Sequence, residues 1–80
     1  MTGITSMCPE VVLEILDGLE DRNPSVRGDC YLLLGGFAER NSNFKAKIAQ
    51  IVIAGLEEEE NVTVRNTCYL VLGICDAPLN

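Results

Sequence analysis

The stretch Val26-Arg27-Gly28-Asp29-Cys30-Tyr31-Leu32-Leu33-Leu34-Gly35 returns 38 residues later as Val64-Arg65-Asn66-Thr67-Cys68-Tyr69-Leu70-Val71-Leu72-Gly73. Upstream, Gly18-Leu19-Glu20 returns as Gly55-Leu56-Glu57 at an offset of 37, so one residue is inserted in the acidic turn between the two blocks. A period near 38 marks a repeat built from one supersecondary unit that buries its apolar face on its neighbour.

Working outward, each unit reads as two helices. Cys8, Val12, Ile15, Leu16 and Leu19 fall at i, i+4, i+7, i+8 and i+11, one stripe of a helix over about 8–20. Asp21-Arg22-Asn23-Pro24 breaks it, because Pro24 disfavours helical geometry at Asn23 and pre-sets entry to the next helix. Val26, Cys30, Leu33, Leu34 and Phe37 give the same stripe over about 25–39. The Asn41-Ser42-Asn43 cluster then starts a third helix, about 43–57, with Phe44, Ile48, Ile51, Val52 and Leu56 on one face. The fourth, about 62–75, turns Val64, Cys68, Val71, Leu72 and Cys75 inward and stops before Pro78. No segment sustains period-two alternation, so the expected fold is all-α, four helices in a single domain over 1–80, with repeat 1 at about 8–40 and repeat 2 at about 43–76.

Composition narrows the function. The chain has 80 residues, 48% of them hydrophobic, and a mean hydropathy of +0.19, which suits one small globular domain and leaves no stretch near the ~20 apolar residues of a membrane span. Twelve acidic against six basic residues give a net charge of -6, and that field repels phosphate backbones and anionic lipid. Neither nucleic acid nor membrane is the expected partner. With no histidine, the chain lacks the commonest general base and zinc ligand, and no Cys-x-x-Cys spacing occurs, so no catalytic, metal or cofactor site is expected. Residues 1–9 have neither a basic head nor an apolar core of signal-peptide length, so a cytoplasmic chain with reduced cysteines is expected; Cys30 and Cys68 read as small buried hydrophobes. Asn61-Val62-Thr63, formally a glycosylation acceptor, reads as a helix start.

At this point the residues resemble a known family. An apolar first helix, an acidic turn, then Val-Arg and a small-residue and Leu-Gly run resemble the HEAT repeats, the helical hairpins of α-solenoids. Asp21, Pro24, Val26, Arg27, Cys30, Leu34, Gly35 and Ala38 fit the first unit; Glu59, Val64, Arg65, Cys68, Leu72 and Gly73 fit the second. The second turn departs in having no proline and Glu59 in place of Asp, and Tyr31 and Tyr69 stand where the family has a small residue. The resemblance implies an α-α superhelix of two hairpins and a ladder in which the arginine bonds the turn acid of its own or the next unit. Its members here would be Asp21, Arg27, Glu59 and Arg65, with Arg27 and Glu59 on one rung, a partly buried pairing that sets registry as much as stability.

Two surfaces stand out. Glu20, Asp21 and Glu57, Glu58, Glu59 and Glu60 should share one edge, an acidic rim relieved by Arg22 that suits a basic protein partner. On the inner surface, Asp29, Leu32 and Gly36 align with Thr67, Leu70 and Ile74, an apolar stripe where polar residues would be expected. Glu10, Glu14 and Asp17 make a polar outer face for the first helix, whereas the last has few charges. Two repeats are few for a solenoid, so association is expected, most simply as a two-fold homodimer through the last helix or the inner stripe. The expected function is a non-catalytic protein-interaction module or scaffold. The alternatives are a small acidic inhibitor or immunity-type protein that masks a basic surface, and an accessory, lyase-like HEAT protein.

Overall fold

Two asparagines decide where the second helix of each block begins. Asn23 is extended (φ -81°, ψ 118°) and its Oδ1 accepts from the Ser25 amide at 2.9 Å; Asn61 is extended (φ -77°, ψ 123°) and its Oδ1 accepts from the Val64 amide at 3.1 Å. Each satisfies an amide that the helix start leaves without a partner. The acid two residues earlier braces the cap: Asp21 Oδ1 accepts from the Asn23 amide at 2.8 Å and Glu59 Oε2 from the Asn61 amide at 3.0 Å. The second turn therefore works without a proline.

The computed structural model describes residues 9–76, with the side chains of 9–12 left outside that description. Cys8, expected on the first helix, and Pro78, the expected stop, thus lie outside what is described, as do the side chains of Glu10 and Val12. The described residues form four α-helices and no strand: α1 (Pro9–Gly18), α2 (Pro24–Arg40), α3 (Lys45–Glu58) and α4 (Val62–Ile74), with a 3-10 turn at Ser42–Phe44. None is long and apolar enough to cross a membrane. Asn41 closes α2 by donating both its amide (2.9 Å) and its Nδ2 (3.1 Å) to the Phe37 carbonyl. Because the 3-10 turn winds more tightly than an α-helix, α3 starts at Lys45 and Phe44 leaves the expected stripe. Its ring is exposed and rests against Phe37, centroids 5.3 Å apart.

α2 is the central element, touching α1, α3 and α4, while α1 touches α2 alone among the described helices. A helix covered on two sides cannot keep its apolar residues in one stripe. Cys30, Tyr31, Leu34, Gly35, Phe37 and Ala38 are all buried. One expectation is corrected here: Leu33, read as inward, is 57% exposed, while Tyr31 is buried to 2%. The α4 residues Val64, Cys68, Val71, Leu72 and Cys75 are buried as the spacing indicates. Burying each such Val or Leu contributes about 1.5–3 kcal/mol.

Close approach is set by two glycines. A Cβ on Gly35 would stand 3.2 Å from Val71 Cγ2 and 3.3 Å from Ile74 Cδ1, so α4 presses on the bare backbone of α2. A Cβ on Gly55 would overlap the Tyr31 hydroxyl, so the ring reaches α3 only where that carbon is missing. The chain fills 39 × 27 × 15 Å with a radius of gyration of 12.1 Å.

Candidate functional site

Arg27 sits one turn into α2, so its side chain reaches back over the turn that precedes it. Its Nη1 donates to the carbonyls of Asp21 (2.8 Å) and Arg22 (3.1 Å), while Nε and Nη2 grip Glu59 Oε1 and Oε2, each at 2.8 Å. This fork-to-fork contact joins the two blocks and is the strongest geometry an arginine offers a carboxylate. The Arg27 hydrogen bonds hold the Glu59 carboxyl below its ordinary range; burial pulls the other way, and the Asn61 amide adds to the lowering. Glu59 Oε2 thus serves the ion pair and the α4 cap together.

Arg65 repeats half of this arrangement. Its Nη1 donates to the carbonyls of Glu59 (3.0 Å) and Leu56 (3.1 Å), the grip Arg27 has on its own turn. Its Nη2 donates to the Tyr69 hydroxyl at 3.2 Å, and among the described residues no carboxylate pairs with it. The expected ladder is therefore drawn as one acid-to-arginine rung, Arg27 to Glu59, with Asp21 contributing its backbone carbonyl and its carboxylate serving the Asn23 cap.

Among the described residues α1 and α3 are set apart, and a groove of about 820 Å³ lies between them, within the ~300–1,000 Å³ typical of ligand pockets. Leu16 and Leu19 of the first block face Ile51, Ala54 and Gly55 of the second, and Tyr31 lies between them. Glu20, Asp21, Glu58 and Glu60 stand at the turn end with Arg22, and the clamped Arg27 and Glu59 close that end. Four of the six expected rim acids thus edge the groove as exposed carboxylates. Glu57 is exposed but lies off the groove, and Glu59 is 9% exposed and committed to Arg27. Ala54 and Gly55 are the floor residues the stripe reading missed; two small residues in succession on an otherwise bulky helix were the signal.

The residues of the inner stripe do not share one environment. Asp29, Leu32 and Leu70 are exposed, Leu32 by 48% and Leu70 by 59%. Gly36 is half-buried, and Thr67 is half-buried with its hydroxyl donating to the Thr63 carbonyl at 3.1 Å. Ile74, read as outward, packs its Cδ1 toward Gly35 and belongs to the margin of the core, because the missing Gly35 side chain lets it turn in.

Cys30, Cys68 and Cys75 are buried free thiols. Burial pushes the Tyr31 hydroxyl up to about 12 and the Cys68 thiol up to about 11; their mutual hydrogen bond raises the first and lowers the second. Both are protonated at neutral pH, a state that suits packing and gives no nucleophile. Among the described residues no three Cys, Asp or Glu side chains gather as a metal site. Comparison of the chain with protein-family models, with curated proteins and with solved structures returns no match.

Proposed function

We propose that this chain is a HEAT-like pair of helical hairpins, a segment of α-solenoid, that works in the cytoplasm as a non-catalytic protein-binding module. The observation that carries the proposal is the groove between α1 and α3, apolar along its floor and edged by Glu20, Asp21, Glu58 and Glu60. A complementary ligand is an amphipathic helix whose apolar face enters between the two helices while its Lys or Arg residues meet the rim, the helix-in-groove mode of recognition. The matching grips of Arg27 and Arg65 on their turns support the repeat reading. Three buried thiols, all with pKa raised by burial, support the non-catalytic one. Self-association through α4 is a second mode, favoured by the exposure of Val62 (69%) and Tyr69 (41%) on that one helix.

The test uses a fluorescent amphipathic peptide with a leucine face flanked by lysines, and a second peptide with glutamates in place of the lysines. The lysine peptide should bind, with a slower on-rate and weaker affinity as salt rises toward the range where the screening length falls to ~3 Å. Glu58→Lys should weaken it about tenfold, a loss of ~1.4 kcal/mol. Equal binding of both peptides, or affinity indifferent to salt, rejects the rim as a docking site.

A further inference from the structure

The internal contact between the two blocks shows what each end of the chain presents. Within the chain, Gly35 of α2 receives Val71 and Ile74 of α4, Arg27 of α2 receives Glu59, and Tyr31 of α2 reaches Gly55. Moving each partner along by one block gives the features of the two outer faces of the described helices. The outer face of α4 carries Arg65, Tyr69 and Gly73 where α2 carries Arg27, Tyr31 and Gly35. Arg65 has no carboxylate among the described residues, Tyr69 is 41% exposed, and a Cβ on Gly73 would meet nothing within 4 Å.

The first block carries the opposite set. Leu33 stands where the second block has Val71, and Asp21 where it has Glu59. Val71 is fully buried and Leu33 is 57% exposed; Glu59 is buried under Arg27 and Asp21 is exposed. Asp21 nevertheless holds the same pose as Glu59, one oxygen accepting from the amide two residues on. One end therefore offers a bare glycine and an arginine without a carboxylate. The other offers an exposed leucine and a carboxylate already oriented by its turn.

We infer that copies of this chain bind head to tail, the outer face of α4 of one copy on the α1–α2 hairpin of the next, with Leu33 seated on Gly73 and Asp21 paired with Arg65. The inference deepens the self-association mode proposed above and replaces the two-fold pairing expected from the sequence. The two surfaces differ, so the contact is heterologous and does not close on two copies. It continues the interface already present between the blocks, and the charges on its two sides are opposite. At Gly18, the counterpart of Gly55, the Cys30 sulfur fills the space that Tyr31 takes over Gly55, so Tyr69 would displace or cover that thiol.

The experiment is sedimentation velocity on the full chain from ~10 to ~500 μM, a range that reveals association of modest affinity. The average mass should climb past twice 8.7 kDa without a plateau at the dimer. Leu33→Glu, at an exposed position, should keep its helicity and need at least about tenfold more protein to associate. Leu70→Glu, on the inner stripe, should associate as the parent chain does. Asp21→Arg and Arg65→Glu should each remain monomeric alone and associate when mixed, because each supplies the charge the other lacks. Should Arg65→Glu lose helicity through its turn carbonyls, Leu33→Glu and Leu70→Glu decide the matter. A chain that stays monomeric throughout, or one that stops at a dimer abolished by Leu70→Glu and kept by Leu33→Glu, overturns the inference. Loss of peptide binding in the groove with self-association intact would count against the docking proposal alone.

Discussion

Glu59 does three things with one carboxylate: it fills the fork of Arg27, caps the Asn61 amide, and by both joins the two blocks. Its pKa is lowered in the fold, so the stability it contributes is present above its unfolded value near 4.5 and is lost as pH falls through the lower, folded one. Glu59→Gln should therefore lower Tm at neutral pH, by about 5 °C or more for a domain of this size, and the gap from the parent should close on acidification. A thermal melt series from pH 7 to pH 2 checks both. Tyr31 and Cys68 act at the other end of the scale. Their folded pKa values lie above the ordinary 10.0 and 9.0, so the fold holds their protons more tightly and loses stability as pH rises from about 9 toward 12. Tyr31→Phe should shift the alkaline unfolding midpoint upward relative to its neutral-pH stability, readable by circular dichroism against pH. Arg27 with Glu59 was legible in the sequence because both sit six residues from a counterpart in a repeated frame. The seat of Tyr31 over Gly55 was not, since nothing in its own block signals that glycine.

At the scale of elements, repetition fixed the helix count and the core face of α4 but misassigned Leu33 on α2. Periodicity supposes one buried side, and α2 has two. The start of α3 was misjudged for a related reason: the 3-10 turn at Ser42–Phe44 changes residues per turn, so a stripe drawn at α-helical spacing carries Phe44 to the wrong side. The helices also hold glycines of two kinds. Gly28 lies within α2 with nothing near its absent Cβ, so Gly28→Ala should stabilise the fold by about 0.5–1 kcal/mol through lower unfolded-state entropy. Gly55→Ala meets the Tyr31 hydroxyl and should destabilise by about 1–3 kcal/mol. Urea unfolding of the pair separates the two effects; equal and favourable shifts would mean that Tyr31 has room to move.

For the molecule as a whole, the all-α class, the four helices and the acidic edge could be read from the chain, whereas the shape of the groove could not. It depends on how the two hairpins are set against one another, of which the small pair Ala54-Gly55 is the one trace in the sequence. Four exposed carboxylates, Glu20, Asp21, Glu58 and Glu60, line it together with Leu16, Leu19 and Ile51. The account depends on that groove being where partners bind. The most direct measurement is a two-dimensional NMR titration of the isotopically labelled chain with the lysine-flanked amphipathic peptide. The account expects amide shifts confined to Leu16, Leu19, Ile51, Ala54, Gly55 and the rim acids, weakening with salt. Shifts centred on Leu32 and Leu70, or none at saturating peptide, would contradict it.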